Sequence, residues 1–157
     1  MYQILKKQTL NANTKLMVID APHVARKAEP GQFIILRVSE DGERIPLTIA
    51  DFDRKTGAVT IIFQEVGATT MALGRLNEGD CLHDFVGPLG RASELEGLKK
   101  AAVVGGGLGC AIAYPQAKKL HEMGAEVDLI AGFRSKDIII LEEEMKAAST
   151  NLYVVTD

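Results

Sequence analysis

The sequence predicts an antiparallel β-barrel followed by the first part of an α/β domain with a parallel sheet. Residues 1–97 contain short apolar segments rich in β-branched residues, with turn signals between them, a pattern typical of antiparallel sheets. From residue 98 onward, apolar strands alternate with segments of helical periodicity, which indicates βαβ units. A chain of 157 residues has room for two small domains, and we place their boundary between residues 97 and 98.

The composition argues against several functional classes. The formal net charge is -3 and no basic stripe with interleaved aromatic residues is present, so nucleic-acid binding is not expected. No stretch reaches the roughly 18 apolar residues of a transmembrane helix, and the N-terminus lacks the apolar segment of a signal peptide. Cys81 and Cys110 are too few for a disulfide framework or a zinc site. We expect two buried, reduced thiols in a cytoplasmic protein.

The elements of the first half follow in order. Pro30-Gly31 is a turn signal before the third strand, and Pro46 places the fourth strand at an edge or at its own start. A helix is predicted over 69–76, since it begins with threonine and has apolar residues at helical spacing. Residues 77–80 then turn into a further strand, and 87–90 predict a tight turn. Strands are predicted over 2–10, 15–19, 32–38, 45–50 and 58–64.

The second half predicts a strand, helix, strand, helix, strand order, which gives a parallel sheet. Gly124 ends the first of the two helices, as glycine commonly does. No helix follows the third strand, so one face of the sheet would be partly bare, and we expect the chain to be a fragment of a longer protein. The strands are predicted over 101–104, 127–131 and 152–155, and the helices over 110–123 and 135–145.

A glycine-rich turn joins the first of these strands to its helix. The turn contains Gly105, Gly106, Gly107, Leu108 and Gly109, followed by cysteine where the pattern G-x-G-x-x-G has its last glycine. Glycines permit a sharp turn and close approach to a pyrophosphate, and the helix N-terminus offers free N–H groups. The turn therefore favours nucleotide binding, with a glycine-rich turn that binds nothing as the alternative.

Arg134 follows the second strand of this half, where an acidic residue usually stands. An arginine at this position suits a 2′-phosphate and would favour NADP. An exposed arginine at a helix start, with no ligand, is an equally good interpretation.

Two segments of the first half also suggest ligand binding. Residues 44–48 place an arginine and a hydroxyl around an apolar pair, which suits a flat anionic ligand; an ordinary edge strand is the alternative. Residues 66–70 place a glycine and two threonines before a helix, as in an anion-binding nest; Thr69 or Thr70 acting only as an N-cap is the alternative. Two phosphate sites suggest two nucleotides, and hydride transfer is the simplest chemistry that joins them.

Six short segments together resemble the ferredoxin–NADP reductase superfamily. Within it, the resemblance is strongest to the electron-transfer subunit of dihydroorotate dehydrogenase and to the small (alpha) subunit of NADH-dependent ferredoxin–NADP oxidoreductase. The order and spacing of the segments cover nearly the whole chain. The segments are PGQF (30–33), RIPLT (44–48), FQEVGATT (63–70), GPLG (87–90), VVGGGLG (103–109) and GFR (132–134).

The resemblance implies a six-stranded FAD-binding barrel, a following NAD(P)-binding domain, and no side chain acting as acid or base. It assigns Pro46, Leu47 and Thr48 to the isoalloxazine and Arg44 to a phosphate. It assigns the remaining contacts as follows: Ile62, Phe63 and Gln64 to the ribityl or adenosine side, Gly67, Thr69 and Thr70 to the FAD pyrophosphate, and Gly105, Gly106, Gly107, Leu108, Gly109 and Arg134 to NAD(P).

The implied function is electron transfer between NAD(P)H and an iron–sulfur centre or ferredoxin through FAD, within a reductase that has a larger catalytic partner subunit. The [2Fe–2S] centre of such subunits is expected outside residues 1–157, since Cys81 and Cys110 cannot supply four thiolates. We expect the chain alone to bind NAD(P) poorly, and whether it retains FAD stays open. The preferred nucleotide, the terminal acceptor and the oligomeric state stay open, and a non-catalytic nucleotide-binding or regulatory module is the alternative.

Overall fold

The structure, a computed structural model, describes residues 1–157 and contains two sheets. The strands are β1 (Tyr2–Asn11), β2 (Thr14–Asp20), β3 (Phe33–Arg37), β4 (Arg44–Asp53), β5 (Ala58–Gln64), β6 (Cys81–Leu82), β7 (Asp84–Leu89), β8 (Lys100–Gly106), β9 (Glu126–Phe133) and β10 (Asn151–Thr156). The α-helices are α1 (Pro22–Lys27), α2 (Ala68–Gly74), α3 (Cys110–Glu122) and α4 (Glu142–Ala147). None of them has the length and apolar character needed to cross a membrane.

The first sheet closes on itself. Its strand order is β6-β1-β2-β5-β4-β3-β7, with antiparallel pairs throughout. The two end strands, β6 and β7, are separated in the chain only by His83 and therefore form one bent segment. Tyr2 and Phe85 pack across this junction with ring centroids 5.9 Å apart. The predicted six-stranded antiparallel barrel is thus confirmed, with β6 and β7 acting as one strand.

The barrel interior follows from the alternation of side chains along each strand. On β5, Val59, Ile61 and Phe63 are fully buried inside the barrel, whereas Ile62 points to the opposite side. The short helix α1, which the sequence analysis missed, contributes Val24 and Ala25 to this core. Proline at its first turn favours the start of α1, but six residues are too few for a periodic signal.

The second sheet is parallel, with the order β10-β9-β8, as predicted. Helices α3 and α4 pack on one of its faces and bury Val127, Leu129 and Ala131 of β9. The same core includes Leu16, Ala50 and Ile62 of the barrel, so a single apolar core joins the two sheets. Their relative placement is therefore set by packing.

The opposite face of the second sheet is partly bare, as expected from the sequence. Val104 is 71% exposed, Tyr153 52% and Val155 53%, although each lies within a strand. The apolar strand 101–104 is half-buried on one face and exposed on the other, whereas parallel strands are usually buried on both.

The predicted helix over 135–145 is confirmed only at its C-terminal end, where α4 begins at Glu142. Residues 135–141 contain a short 3-10 turn (Lys136–Ile138) instead of a helix. Three consecutive isoleucines at 138–140 disfavour a helix because branching at Cβ restricts their rotamers. Leu141, the residue before α4, adopts a left-handed conformation with φ 58°, which separates the turn from the helix.

Two other predictions are also corrected. Residues 87–89 are not a tight turn but the end of β7, where Leu89 pairs with Phe33; only Gly90, with φ 80°, turns the chain. The Gln32 side chain donates to the Gly90 carbonyl at 3.1 Å, so the PGQF and GPLG segments meet beside the Phe33–Leu89 pair at the end of β7. Cys81 is exposed rather than buried, because it lies on the two-residue strand β6 at the barrel surface.

Candidate functional site

A groove opens in the barrel wall where β4 and β5 separate. The two strands pair from Ile49 and Ile61 onward, but residues 44–48 of β4 pair only with β3. Residues 62–64 of β5 likewise pair only with β2. Two strand edges therefore face each other without a full ladder between them, and unpaired backbone groups of this kind are available to a ligand.

Proline is tolerated in β4 because of the direction of its backbone. The Ile49 N–H donates to the Gln32 carbonyl on the β3 side at 3.1 Å. Since backbone direction alternates along a strand, Ile45 and Leu47 also face β3, whereas Pro46 and Thr48 face the groove. Pro46, which has no N–H, therefore costs no hydrogen bond with β3. The prediction that Pro46 lies at an edge or at the start of its strand is confirmed, since β4 begins at Arg44 and residues 44–48 pair only with β3.

The side chains of β4 divide the predicted site residues between two faces. Ile45 and Leu47 pack against the barrel core, so the alternate residues Arg44, Pro46 and Thr48 lie on the outer face. Thus the structure brings together three of the four predicted residues of this strand. The Leu47 side chain packs against the barrel core and its backbone N–H faces β3, so neither group points into the groove.

The three predicted residues of β5 have different environments. Phe63 is 1% exposed inside the barrel, and Ile62 is buried in the core shared with the second sheet. Gln64 is half-buried and lines an open cleft beside Gly106 and Gly107. Of the three side chains, only that of Gln64 can reach a ligand in this cleft.

The two threonines at the start of α2 have separate roles. The Thr70 hydroxyl accepts the N–H groups of Val66 (2.9 Å) and Gly67 (3.0 Å), so it caps the helix. The Thr69 hydroxyl instead donates to the Glu43 carboxylate at 2.9 Å. Glu43, which the sequence analysis missed because an isolated exposed acid gives no signal, shows that this hydroxyl can hold an anionic oxygen.

Arg44, on the outer face of β4, has no close ion pair. Its side chain is 64% exposed, and its nearest acid, Asp84, lies 3.9 Å away. Asp84 is itself held by Arg37, with the closest N–O distance 2.7 Å. The Arg44 guanidinium is therefore free to pair with an anionic ligand such as a phosphate.

The glycines of the turn after β8 serve two purposes. A Cβ atom at Gly105 would lie 3.0 Å from the Cβ of Ala113 and 3.1 Å from the Cα of Cys110, so glycine is needed for β8 to approach α3. A Cβ atom at Gly106, Gly107 or Gly109 would meet nothing within 4 Å. Leu108 is half-buried and packs against the core of the second sheet. The turn therefore combines one packed glycine with three that border open space.

A cleft of about 630 Å³ lies at the carboxyl ends of the parallel strands, where α/β sheets commonly bind ligands. Arg134 and the glycine turn line this same cleft, as they must if both bind one nucleotide. Gln64 of the barrel also lines it, so the cleft adjoins the end of the groove strand β5. The lining residues are Gln64, Gly106, Gly107, Gly132, Phe133, Arg134, Ile138, Val155, Thr156 and Asp157.

Comparisons with known proteins agree with this architecture. No protein-family model matches the chain. A relative from Thermotoga maritima, named "Dihydroorotate dehydrogenase B (NAD(+)), electron transfer subunit homolog", is 41% identical over 99% of the chain. A solved structure of the NADH-dependent reduced ferredoxin-NADP oxidoreductase superposes over 100% of the chain with a TM-score of 0.95 and 39% identity. The chain belongs to the ferredoxin–NADP reductase superfamily.

The chain spans about half the length of these superfamily members. It covers 55% of the Thermotoga maritima relative and 57% of the solved chain. A Clostridium beijerinckii protein, named "Uncharacterized protein in adh 3'region", is 53% identical over 100% of this chain, which again covers 55% of the relative. The superfamily relationship confirms the barrel and the nucleotide-binding type of α/β sheet, which the six short segments had indicated.

Because the turn glycines lie in two different environments, replacing them with alanine should change the stability of the protein at Gly105 but not at Gly106. We expect Gly105→Ala to lower the free energy of unfolding by about 1–3 kcal/mol, because the added methyl group would overpack the contact with Cys110 and Ala113. Gly106→Ala is the control, since its backbone is extended, with φ −125°, and its Cβ is free. Urea denaturation of both variants measures the difference. Equal losses of stability would show that β8 and α3 are not packed as described.

The two thiols are expected to react at very different rates. Desolvation by burial raises the pKa of Cys110 to about 11, so its reactive thiolate is scarce at pH 8. Cys81 is exposed. We expect iodoacetamide at pH 8 to label Cys81 in the folded protein and both thiols after unfolding in urea, as read by mass spectrometry of peptides. Comparable labelling of Cys110 in the folded protein would contradict its burial.

Proposed function

We propose that the chain is the FAD- and NAD(P)-binding part of an electron-transfer subunit, with FAD held by residues 1–97 and the nucleotide domain beginning at residue 98. The observation that carries this proposal is the adjacency of two sites. The groove between β4 and β5 ends at Gln64, which also lines the cleft beside the glycine turn. When bound, FAD accepts a hydride from a reduced nicotinamide and passes electrons on.

The names of the relatives support this proposal. The Thermotoga maritima protein is named as an electron transfer subunit homolog, and the solved structure is described in terms of NADH, ferredoxin and flavin-based electron bifurcation. By analogy, we propose that this chain passes electrons to an iron–sulfur centre or ferredoxin, beside a larger catalytic subunit. A [2Fe–2S] centre needs four ligands, so it would lie outside residues 1–157. Two free cysteines suit a cytoplasmic location.

The groove residues fit a flavin nucleotide. The Thr48 hydroxyl and the backbone groups of Pro46 and Thr48 suit the polar edge of an isoalloxazine ring. The exposed guanidinium of Arg44 and the hydroxyl of Thr69 suit phosphate oxygens. Gly67, the N-cap residue of α2, has an open Cβ position and leaves room for a phosphate to approach closely. Leu47, Ile62 and Phe63 would shape the groove from behind, and Thr70 would hold α2 in place.

The cleft residues fit a pyridine nucleotide. Gly106, Gly107 and Gly109 leave open space at the start of α3, a helix of 13 residues whose N-terminus favours negative charge. Arg134 adds a positive charge to the same cleft. In this proposal the side chains bind and orient the two nucleotides, and none of them transfers a proton.

Retention of FAD tests the proposed flavin site. After incubation with FAD and desalting, we expect the protein to keep flavin absorption near roughly 380 and 450 nm, which is a property of the cofactor. Thr48→Ala should shift these bands and weaken FAD binding about tenfold, since one hydrogen bond is lost. Thr60→Ala is the matched control, because Thr60 lies on β5 beside Asp53 and Lys55, away from the groove. A colourless parent protein, or equal effects of both substitutions, would contradict the assignment.

Reduction kinetics test the nucleotide site. We propose NADH as the donor, because the names of the relatives specify NAD(+) and NADH. Stopped-flow reduction of the FAD-loaded protein should be faster with NADH than with NADPH. Arg134→Gln should slow only the NADPH reaction, about tenfold, because it removes the charge that would meet the 2′-phosphate. Arg91→Gln is the control, since Arg91 is exposed and paired with Glu94.

Faster reduction by NADPH would overturn the proposed preference for NADH. Retention of FAD without reduction by either nucleotide would favour the alternative of a non-catalytic binding module over the proposed function.

A further inference from the structure

A salt bridge joins the strand that carries the proposed flavin contacts to the helix that follows the glycine turn. Lys118 of α3 donates to both carboxylate oxygens of Asp51 on β4, at 2.8 and 3.0 Å. The two side chains are about one-third exposed, at 34% and 31%. This pair therefore crosses the junction between the barrel and the second sheet.

A β-bulge in β4 directs Asp51 toward α3. Ile49 pairs with Ile61, but Asp51 pairs with Thr60, so β4 has one extra residue at this point. Ala50 is buried in the core shared with the second sheet, whereas Phe52 packs against the barrel core. Without the extra residue, strict alternation would turn Asp51 into the barrel. The bulge instead places Ala50 and Asp51 on the same side, facing α3.

The environment of Lys118 keeps it charged and oriented. Burial disfavours the ammonium, but the hydrogen bond and negative charge of Asp51 outweigh this effect and raise the pKa of Lys118. The Tyr114 ring, one helical turn earlier, lies 5.9 Å from the Lys118 nitrogen. Lys118 therefore stays protonated at neutral pH and is held between an acid and an aromatic ring.

The other contacts at this junction give less directional restraint. On the α3 side the shared core contains three alanines, Ala111, Ala113 and Ala117, together with Cys110 and Leu120, and these apolar contacts have no preferred direction. Lys119, the next residue of α3, lies 3.9 Å from Glu29 of the barrel. The Asn11 amide donates to the Ile138 carbonyl at 3.3 Å, but this contact involves the 3-10 turn after β9 and not α3. The pair of Asp51 and Lys118 is thus the closest polar link between β4 and α3.

The pair lies near both proposed binding sites. Asp51 is three residues from Thr48, a distance of about 10 Å along a strand. Lys118 is nine residues from Gly109, about 14 Å along a helix. A small rotation of α3 on β4 would therefore shift the glycine turn relative to the groove.

We propose that Asp51 and Lys118 are positioning residues that fix the orientation of the glycine turn, which would bind NAD(P), relative to the proposed flavin groove. This inference rests on the proposed function. Hydride transfer requires close, aligned reactants, and a displacement of about 1 Å can cost a hundredfold in rate. Because the shared apolar core remains when the pair is removed, we expect a smaller loss of about tenfold.

The kinetic test compares neighbouring lysines. In the FAD-loaded protein, Lys118→Met should slow flavin reduction at saturating NADH about tenfold, while the Kd for FAD changes less than twofold. Lys119→Met, which removes the same charge one residue away, should leave the rate within twofold of the parent. Lys118→Arg keeps the charge and should restore most of the rate. A parental rate in Lys118→Met, or equal losses in both methionine variants, would overturn the proposal.

A distance measurement tests the same inference without any cofactor. Spin labels on the exposed native Cys81 and on Lys136→Cys report the placement of the second sheet relative to the barrel by pulsed electron paramagnetic resonance. We expect the distance distribution to broaden or shift in Lys118→Met and to stay unchanged in Lys119→Met. An unchanged distribution in Lys118→Met would overturn the positioning role. Failure of the proposed function would show separately, as a parent protein that does not retain FAD or is not reduced.

Discussion

The separation of β4 from β5 beyond the Ile49–Ile61 pair is the constraint on which the candidate site depends. A barrel in which every strand had two full neighbours would satisfy its own backbone and offer little to a ligand. Here the wall opens over residues 44–48 on one side and 62–64 on the other, and α2 follows directly. The ladder is restored at Ile49, so the opening stays local and the barrel core below it remains closed.

The second sheet is placed by the same strand. Ala50 and Asp51, just past the opening, provide respectively an apolar and a charged contact with α3. Ile62 extends the shared core from β5, and burying one such side chain contributes about 1.5–3 kcal/mol. One strand therefore carries groove residues in its first half and contacts with the second sheet in its second half. The distance between the groove and the cleft therefore depends on the conformation of β4.

The sequence was sufficient for the barrel strands, the parallel sheet and the long helix α3, because local patterns of apolar residues encode these elements. It was not sufficient for the direction of individual side chains. Leu47 and Phe63 were predicted as site residues, yet both side chains face the barrel core. Side-chain direction depends on register, and a shift of one residue reverses it. Registers in β4 are set by a bulge and by the partner strands, neither of which a local pattern reveals.

The open groove has a consequence for the protein before any ligand arrives. Unpaired strand edges are templates on which other chains can add a strand, which is a common start of aggregation. Pro46 lies in one of these edges with its backbone toward the groove, and its missing N–H prevents a continuous ladder from forming there. Pro46 therefore also protects the newly folded chain against the addition of a strand from another molecule. A planar ligand in the groove would extend this protection by covering both strand edges.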